Sequence, residues 1–212
     1  MSLKIIYEGP GFVAIHKPAG ISVEAFADHD TVEARAWALF RRPRSPKRPF
    51  VGIVHRLDRP VSGLLLLARN KSTLRYLNEQ FASRRVHKVY RARTQVPLPA
   101  PAATLEHHLS RDATGKKAVA SDQAHRDSKP GRLRYELYRQ DEAWSDYRIY
   151  PISGRFHQIR AQLAAAGSPI VGDGTYGSPL PYHENAIALH AESLSFVTKE
   201  GDAVDLHLPP DF

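Results

Sequence analysis

Apolar and polar positions change their period several times along the chain, and each change marks an element. Residues 4–7 and 12–16 are short β-rich runs on either side of Glu8-Gly9-Pro10-Gly11. Gly and Pro there mark a turn, so the pattern predicts a hairpin. Lys17-Pro18-Ala19-Gly20 closes it with a second turn. Thr31 is placed to N-cap a helix over 32–40, with Val32, Ala36 and Leu39 on one face. Residues 51–54 read as a short strand. Residues 71–86 have helical periodicity through Leu74, Leu77 and Phe81, with Ser72 as the expected cap, and 87–94 alternate as a strand.

The second half is richer in strands. Residues 97–103 form a Pro/Ala connector, 105–110 a strand, and 111–129 a polar loop or hairpin. Strands are expected at 133–138 and 144–150, joined by a turn near Asp141-Glu142. A helix over 155–166 has Phe156, Ile159 and Leu163 on one face, Ser153 as cap and Gly167 as stop. Residues 169–176 form a tight Gly-rich segment, and strands at 186–197 and 203–208 close the chain. There is no internal repeat and no clear domain boundary. One domain over 1–212 is expected. The mixed order of hairpins and helices points to α+β rather than a doubly wound sheet.

One stretch departs from these simple periods. Residues 64–68 (Leu-Leu-Leu-Leu-Ala) are an unbroken apolar run, either a fully buried strand or the start of a buried helix. Directly before it stand His55, Arg56, Asp58 and Arg59. Charges at the edge of a core are costly unless paired. Asp58 between two arginines is therefore a structural ion pair or a working group. An Asp beside Arg stays ionised at neutral pH, which suits a nucleophile or base and not a general acid.

Two further groups carry candidate chemistry. On a strand, Tyr90 shares a face with Lys88 and Ala92; an aromatic beside basic groups can stack on a base, and it can equally be a half-buried strand tyrosine. Residues 153–160 (Ser-Gly-Arg-Phe-His-Gln-Ile-Arg) place a Gly and Arg155 at a helix start, where backbone can be approached closely.

Charge adds a partner class. The chain carries 30 Lys and Arg against 22 Asp and Glu, a formal net charge of +8. Such a balance suits a polyanion, most often nucleic acid. Between 41 and 59 there are seven Lys/Arg and one acid, Asp58; 84–93 holds five basic residues and no acid. There is no cysteine, which excludes disulfides, thiolate metal sites and Cys nucleophiles. The eleven histidines do not assemble a metal motif: His107 and His108 point to opposite faces of a strand, and no HExxH occurs. No secretory signal and no membrane-length apolar run is present, so a soluble cytoplasmic protein is expected.

Taken together, these groups resemble the RluA-type pseudouridine synthases. His-Arg-Leu-Asp-Arg-Pro-Val-Ser-Gly-Leu-Leu-Leu-Leu-Ala at 55–68 is similar to that family's H-R-L-D-x-x-T-S-G-L-L-L-x-A. Lys88-Val89-Tyr90-Arg91-Ala92 resembles its K-x-Y-x-A, and 154–160 with 164–173 resembles G-R-x-H-Q-[IL]-R … G-x-P-[IL]-x-G-D. His16-Lys17-Pro18-Ala19-Gly20 resembles its N-K-P-x-G. The motifs occur in the family's order over almost the whole chain.

The resemblance implies a mixed, largely antiparallel central sheet with flanking helices and a basic RNA-binding cleft. It implies isomerisation of uridines in ribosomal or transfer RNA to pseudouridine, without cofactor or metal; a monomer with no obligate protein partner is the default expectation. Asp58 would act on the ribose, adding at C1′ or removing the C2′ proton. Tyr90 would stack on the target base and assist loss of the C5 proton, and Arg155 would pair with Asp58. Arg56 would enter the RNA stack in place of the flipped base, with His55, Arg59, Lys88 and Arg160 completing the RNA-binding set. Extruding a nucleotide costs a few kcal/mol, and a guanidinium can fill the vacated place.

The departures bear on the RNA target more than on the reaction. Val61 stands for the usual Thr, His16 for Asn, Phe156 for Thr, and Ala161-Gln162 for Val-His. No S4-like RNA-binding domain is expected in front of the catalytic fold, so loops 41–50 and 111–129 are expected to help choose the substrate. Two other functions compete. A silent RNA-binding module would have no need of Asp58, Tyr90 and Arg155 together. A nucleoside or glycoside hydrolase needs a second carboxylate; Glu24, Asp173 and Glu192 are available, none in a convincing acid motif.

Overall fold

The computed structural model describes residues 2–26, 29–41, 43 and 45–212. Arg42 and Arg44, part of the basic 41–50 loop, lie outside the described residues. The chain forms two compact units, Met1–Lys88 with His190–Pro210, and Val89–Leu189 with Asp211–Phe212.

The first unit is built on the apolar run. It is a strand: β4 (Ser62–Ala68), whose residues from Gly63 onward are all buried. Strand geometry follows from its neighbours. β1 (Lys4–Gly9) and β2 (Phe12–Lys17) form the expected hairpin, and β2 pairs antiparallel with β4 from Phe12↔Ala68 to Lys17↔Gly63. β3 (Gly52–Ile53) pairs with the far end of β4. β10 (Leu189–Val197) runs parallel to the start of β4 and carries β11 (Ala203–His207) on its other side. A strand covered on both faces reads as a continuous apolar run rather than an alternating one. Leu64, Leu65, Leu66 and Leu67 are wholly buried, each worth about 1.5–3 kcal/mol relative to exposure.

Two helices belong to this unit. α1 (Val32–Leu39) starts at Thr31, whose hydroxyl accepts from the Ala34 amide at 3.2 Å, as expected. α2 (Lys71–Ala82) is capped by Asn70 rather than Ser72: Asn70 Oδ1 accepts from the Thr73 amide at 2.8 Å. Asn70 holds the extended backbone that a cap requires, one residue ahead of the first helical position. Leu77 packs with Phe12, Leu64, Leu66 and Phe196 into the core.

The second unit is a five-stranded antiparallel array in the order β5 (His87–Thr94), β9 (Ser145–Pro151), β8 (Lys129–Gln140), β6 (Ala102–Arg111), β7 (Ala118–Ser121), with the first two residues of β5 in the other unit. β6 begins three residues earlier than its apolar pattern, and the 111–129 loop contains the short β7. The Asp141 turn is made by its carboxylate, which accepts from the Ala143 and Trp144 amides, both at 2.9 Å.

α3 (Gln158–Ala165) begins three residues later than its apolar face suggested. His157 takes a left-handed backbone, φ 49°, and interrupts the helix there. Ser153 is not its cap: its hydroxyl accepts from the Arg132 amide and donates to Gln158 Oε1. Gly167 ends the helix at φ 80°, with Ser168 N–H on the Leu163 carbonyl, a conformation that costs glycine little. Among the described residues no helix is long and apolar enough to cross a membrane.

Candidate active site

In the first unit the site is the loop between β3 and β4. Leu57 and Val61 are buried and anchor it, Asp58 is half-buried between them, and Arg56 and Arg59 are exposed. A turn closes it, with the Val61 amide on the Asp58 carbonyl at 3.0 Å. Val61 thus keeps its backbone role without the hydroxyl that the family pattern carries.

Beneath this loop lies Lys17, at the end of β2 and fully buried. Its ammonium donates to the carbonyls of Pro18 at 3.0 Å, Arg59 at 3.2 Å and Val61 at 2.7 Å. Three N–H groups meet three carbonyls, two of which, those of Arg59 and Val61, follow Asp58 along the chain. Burial lowers the Lys17 pKa from 10.5 to about 7, and the charge of Asp58 opposes that fall. Arg59 adds a second tie: its Nε donates to the Gly20 carbonyl at 2.9 Å, and the Gly20 amide returns a bond to the Arg59 carbonyl at 2.8 Å.

The loop's other charged groups have separate tasks. Arg56 Nη1 donates to Glu24 Oε2 at 2.8 Å, both side chains being exposed. His55 was expected at the RNA; instead its Nε2 accepts from the Leu66 amide at 3.1 Å and its ring stacks on Phe81, 4.8 Å between centroids. Burial first, and the charge of Lys88 second, lower its pKa to about 3, so it is a neutral group holding β4. The Lys88 ammonium lies 6.0 Å from the Phe81 ring centroid, and burial lowers its pKa too.

The start of β4 explains the Ser-Gly of the motif. Gly63 has φ 121°, and a Cβ there would meet the backbone of Ala191 at 2.4–2.8 Å. Only glycine lets the two strands approach so closely. Ser62 Oγ lies 2.8 Å from His190 Nδ1, and His190 Nε2 lies 3.0 Å from the Leu208 carbonyl. A carbonyl only accepts, so Nε2 carries the proton and Nδ1 accepts from Ser62.

In the second unit, Tyr90 on β5 pairs with Ile149 and so shares a face with it and with Tyr135, both fully buried. Arg155 is exposed just ahead of α3. Its Nε donates to the Pro130 carbonyl at 3.1 Å, and its amide to Gln158 Oε1 at 2.9 Å. Gln158 also donates to the Arg132 carbonyl at 3.0 Å, so one buried amide fixes the backbone that presents Arg155. The next residue, Phe156, stacks on His157 at 3.8 Å and lies 4.1 Å under the Arg111 guanidinium. His157 Nδ1 is 3.0 Å from the Tyr176 hydroxyl, which itself accepts from the Ala118 amide at 2.8 Å.

Arg160 was expected at the RNA and is placed otherwise. It is 4% exposed and forms a bidentate pair with Asp173, Nε–Oδ2 2.7 Å and Nη2–Oδ1 2.9 Å. A guanidinium so held is not free for phosphate. Among the described residues no group of three or more His, Asp and Glu could hold a metal ion. Sequence reasoning missed the parts played by Lys17, Glu24 and His190. A lysine ending the apolar β2 run was the available signal for Lys17; nothing local marks the other two.

The chain matches the family model for RNA pseudouridylate synthase from residue 11 to 165, a segment that includes Lys17, Asp58, Tyr90 and Arg155. It is 30% identical to the dual-specificity RNA pseudouridine synthase RluA of Vibrio vulnificus, over 99% of this chain and 84% of that protein. It is 32% identical to the ribosomal large subunit pseudouridine synthase D of Xanthomonas campestris, over 92% of this chain and 62% of that protein. The solved structure of human RNA pseudouridylate synthase domain containing 1 is similar across the whole of this chain and 84% of its own, with a TM-score of 0.81 and 25% identity.

Proposed function

The chain belongs to the RNA pseudouridylate synthase family, and from that premise we propose that it isomerises specific uridines of structured RNA with Asp58 as the essential carboxylate. As an RNA pseudouridine synthase it is an isomerase: the N1–C1′ bond of the target nucleotide breaks, a C5–C1′ bond forms, the C5 proton is lost and N1 gains one. Mass is conserved and no co-reactant is consumed.

Asp58 opens the reaction at the ribose, by addition at C1′ or by removal of the C2′ proton. The observation that supports this assignment is the way the Asp58 loop is held. An ammonium buried beneath it, bonded to the Arg59 and Val61 carbonyls, fixes the backbone on the C-terminal side of the carboxylate. A group that must meet one carbon of an extruded nucleotide needs such preorganisation. Tyr90 stacks on the target uracil and assists loss of the C5 proton, and Arg155 is the cation assigned to the reacting carboxylate. Arg56 enters the RNA stack where the base has left. Arg59 and Lys88 contribute phosphate contacts, which carry no sequence information but set affinity.

The RNA is ribosomal or transfer RNA; the Xanthomonas relative, named for the large ribosomal subunit, supports the first. The test is pseudouridine mapping on total RNA from cells with and without the gene. One site should vanish, return with the wild-type chain, and fail to return with Asp58→Asn. Full restoration by Asp58→Asn, or no site lost from any RNA, would overturn the proposal.

A further inference from the structure

Of the described residues between β2 and α1, Val23 and Thr31 are buried, and Glu24, Ala25, Phe26, His29 and Asp30 are exposed. The base of this segment is closed by the Val32 amide on the Ser22 carbonyl at 2.9 Å and the Glu33 amide on the Val23 carbonyl at 3.0 Å. Loops with joined ends are frequently functional. The near end is fastened to the Asp58 loop by the reciprocal Gly20–Arg59 bonds, and the tip by the Glu24–Arg56 pair. This segment is therefore tied at two points to the loop that carries Asp58.

At the tip stands Phe26, 72% exposed. Its ring lies parallel to that of His29, 4° between planes and 5.8 Å between centroids. A phenylalanine this exposed gains nothing from the core, and its ring face, paired with the His29 ring, is open to a flat partner. The acids beside it are already answered: Glu24 by Arg56, and Asp30 by Arg35. An approaching polyanion thus meets a tip whose described charges are balanced, flanked by two arginines.

We propose that Phe26, backed by His29, is a stacking platform for an unpaired RNA base next to the target uridine, and that Glu24 is a positioning residue that sets this platform beside Arg56. This rests on the RNA pseudouridine synthase reading above. The chemistry is that of single-strand recognition, in which an aromatic face accepts any base and arginines track the backbone. When Arg56 leaves Glu24 for the RNA stack, the neighbouring nucleotide has an aromatic face two residues from the released carboxylate.

The test is titration of the full chain, wild type and variants, with a short single-stranded RNA carrying a fluorescent adenine analogue beside a central uridine. Stacking should quench the analogue in the wild type and in Phe26→Trp. Phe26→Ala should bind roughly five- to a hundred-fold more weakly, lose the quench, and keep the wild-type melting temperature. Glu24→Gln should reduce the quench while Phe26 is intact. Equal affinity and equal quench for Phe26→Ala and wild type would overturn the inference alone. A wild-type chain that binds none of this RNA would also overturn the inference, whereas the underlying reading falls only if the pseudouridine mapping finds no site lost.

Discussion

The Lys17 ammonium donates to the Val61 carbonyl at 2.7 Å, tying the end of one core strand to the first turn beyond Asp58. The bond joins residues 44 apart in sequence. Together with the bonds to Pro18 and Arg59 it makes the loop geometry depend on one buried charge.

Replacing that charge should therefore damage stability and turnover together. Lys17→Met leaves three carbonyls without their donor, each unsatisfied buried group costing about 1–3 kcal/mol. The expected loss is about 2–4 kcal/mol after partial relaxation, with turnover falling further than RNA affinity. Lys17→Arg should not rescue, because a planar fork cannot reproduce three converging bonds. Denaturant unfolding and pseudouridine formation by each variant check both points. In the wild type, neutral Lys17 offers only two N–H groups. Turnover should then fall as pH rises through about 7, seen as an alkaline limb in the rate profile.

Asp58→Asn should abolish isomerisation, on the order of a thousand-fold or more for loss of an essential group. Asp58 is half-buried and not part of the hydrophobic core, so RNA affinity and melting temperature should stay near wild type. Single-turnover assays with filter binding separate the two effects; retained turnover would remove Asp58 from the reaction.

His55 gives the protein an acid-side pH dependence. Its folded pKa is about 3, below the unfolded value of 6.5. Between those values the unfolded chain binds the extra proton, so stability falls as pH falls from about 6.5 toward 3. One proton sets the limit of the slope, about 1.4 kcal/mol per pH unit. The difference in unfolding free energy between wild type and His55→Gln, measured by urea at several pH values, should shrink in that direction.

The Arg160–Asp173 pair should behave as a buried ion pair. Asp173→Asn leaves a buried guanidinium uncompensated and should cost about 3–5 kcal/mol. Replacing both partners, Arg160→Met with Asp173→Leu, should recover much of the loss. Chemical denaturation of the three variants checks this, and additive losses would argue against a coupled pair.

Much of the local structure was legible because it depends on neighbours in sequence. The β1–β2 hairpin follows from Gly and Pro between apolar runs, α1 from Thr31 ahead of its apolar face, and the end of α3 from Gly167. The α2 cap was legible in kind but not in place, since Asn70 and Ser72 both suit the position and only the backbone angles choose between them.

The identity of the β4 run shows where that reach ends. Four leucines and an alanine state burial, and they do so equally for a strand or a helix. Pairing with β2 and β10 made the choice, and Gly63 was needed for the second of those neighbours. The start of α3 was settled in the same way: His157 leaves the helical region where its ring meets the Tyr176 hydroxyl, nineteen residues away.

By itself the sequence determined the order of elements, the candidate groups Asp58, Tyr90 and Arg155, and the family. These are written in residue types and short spacings, which the chain carries before it folds. Only the tertiary structure decided which charges are buried. It placed Lys17 beneath the Asp58 loop, turned His55 onto Phe81, closed Arg160 on Asp173 and set Glu24 against Arg56. Burial and pairing depend on segments distant along the chain, and a charged residue reads alike in sequence whether it meets water, another charge or a carbonyl.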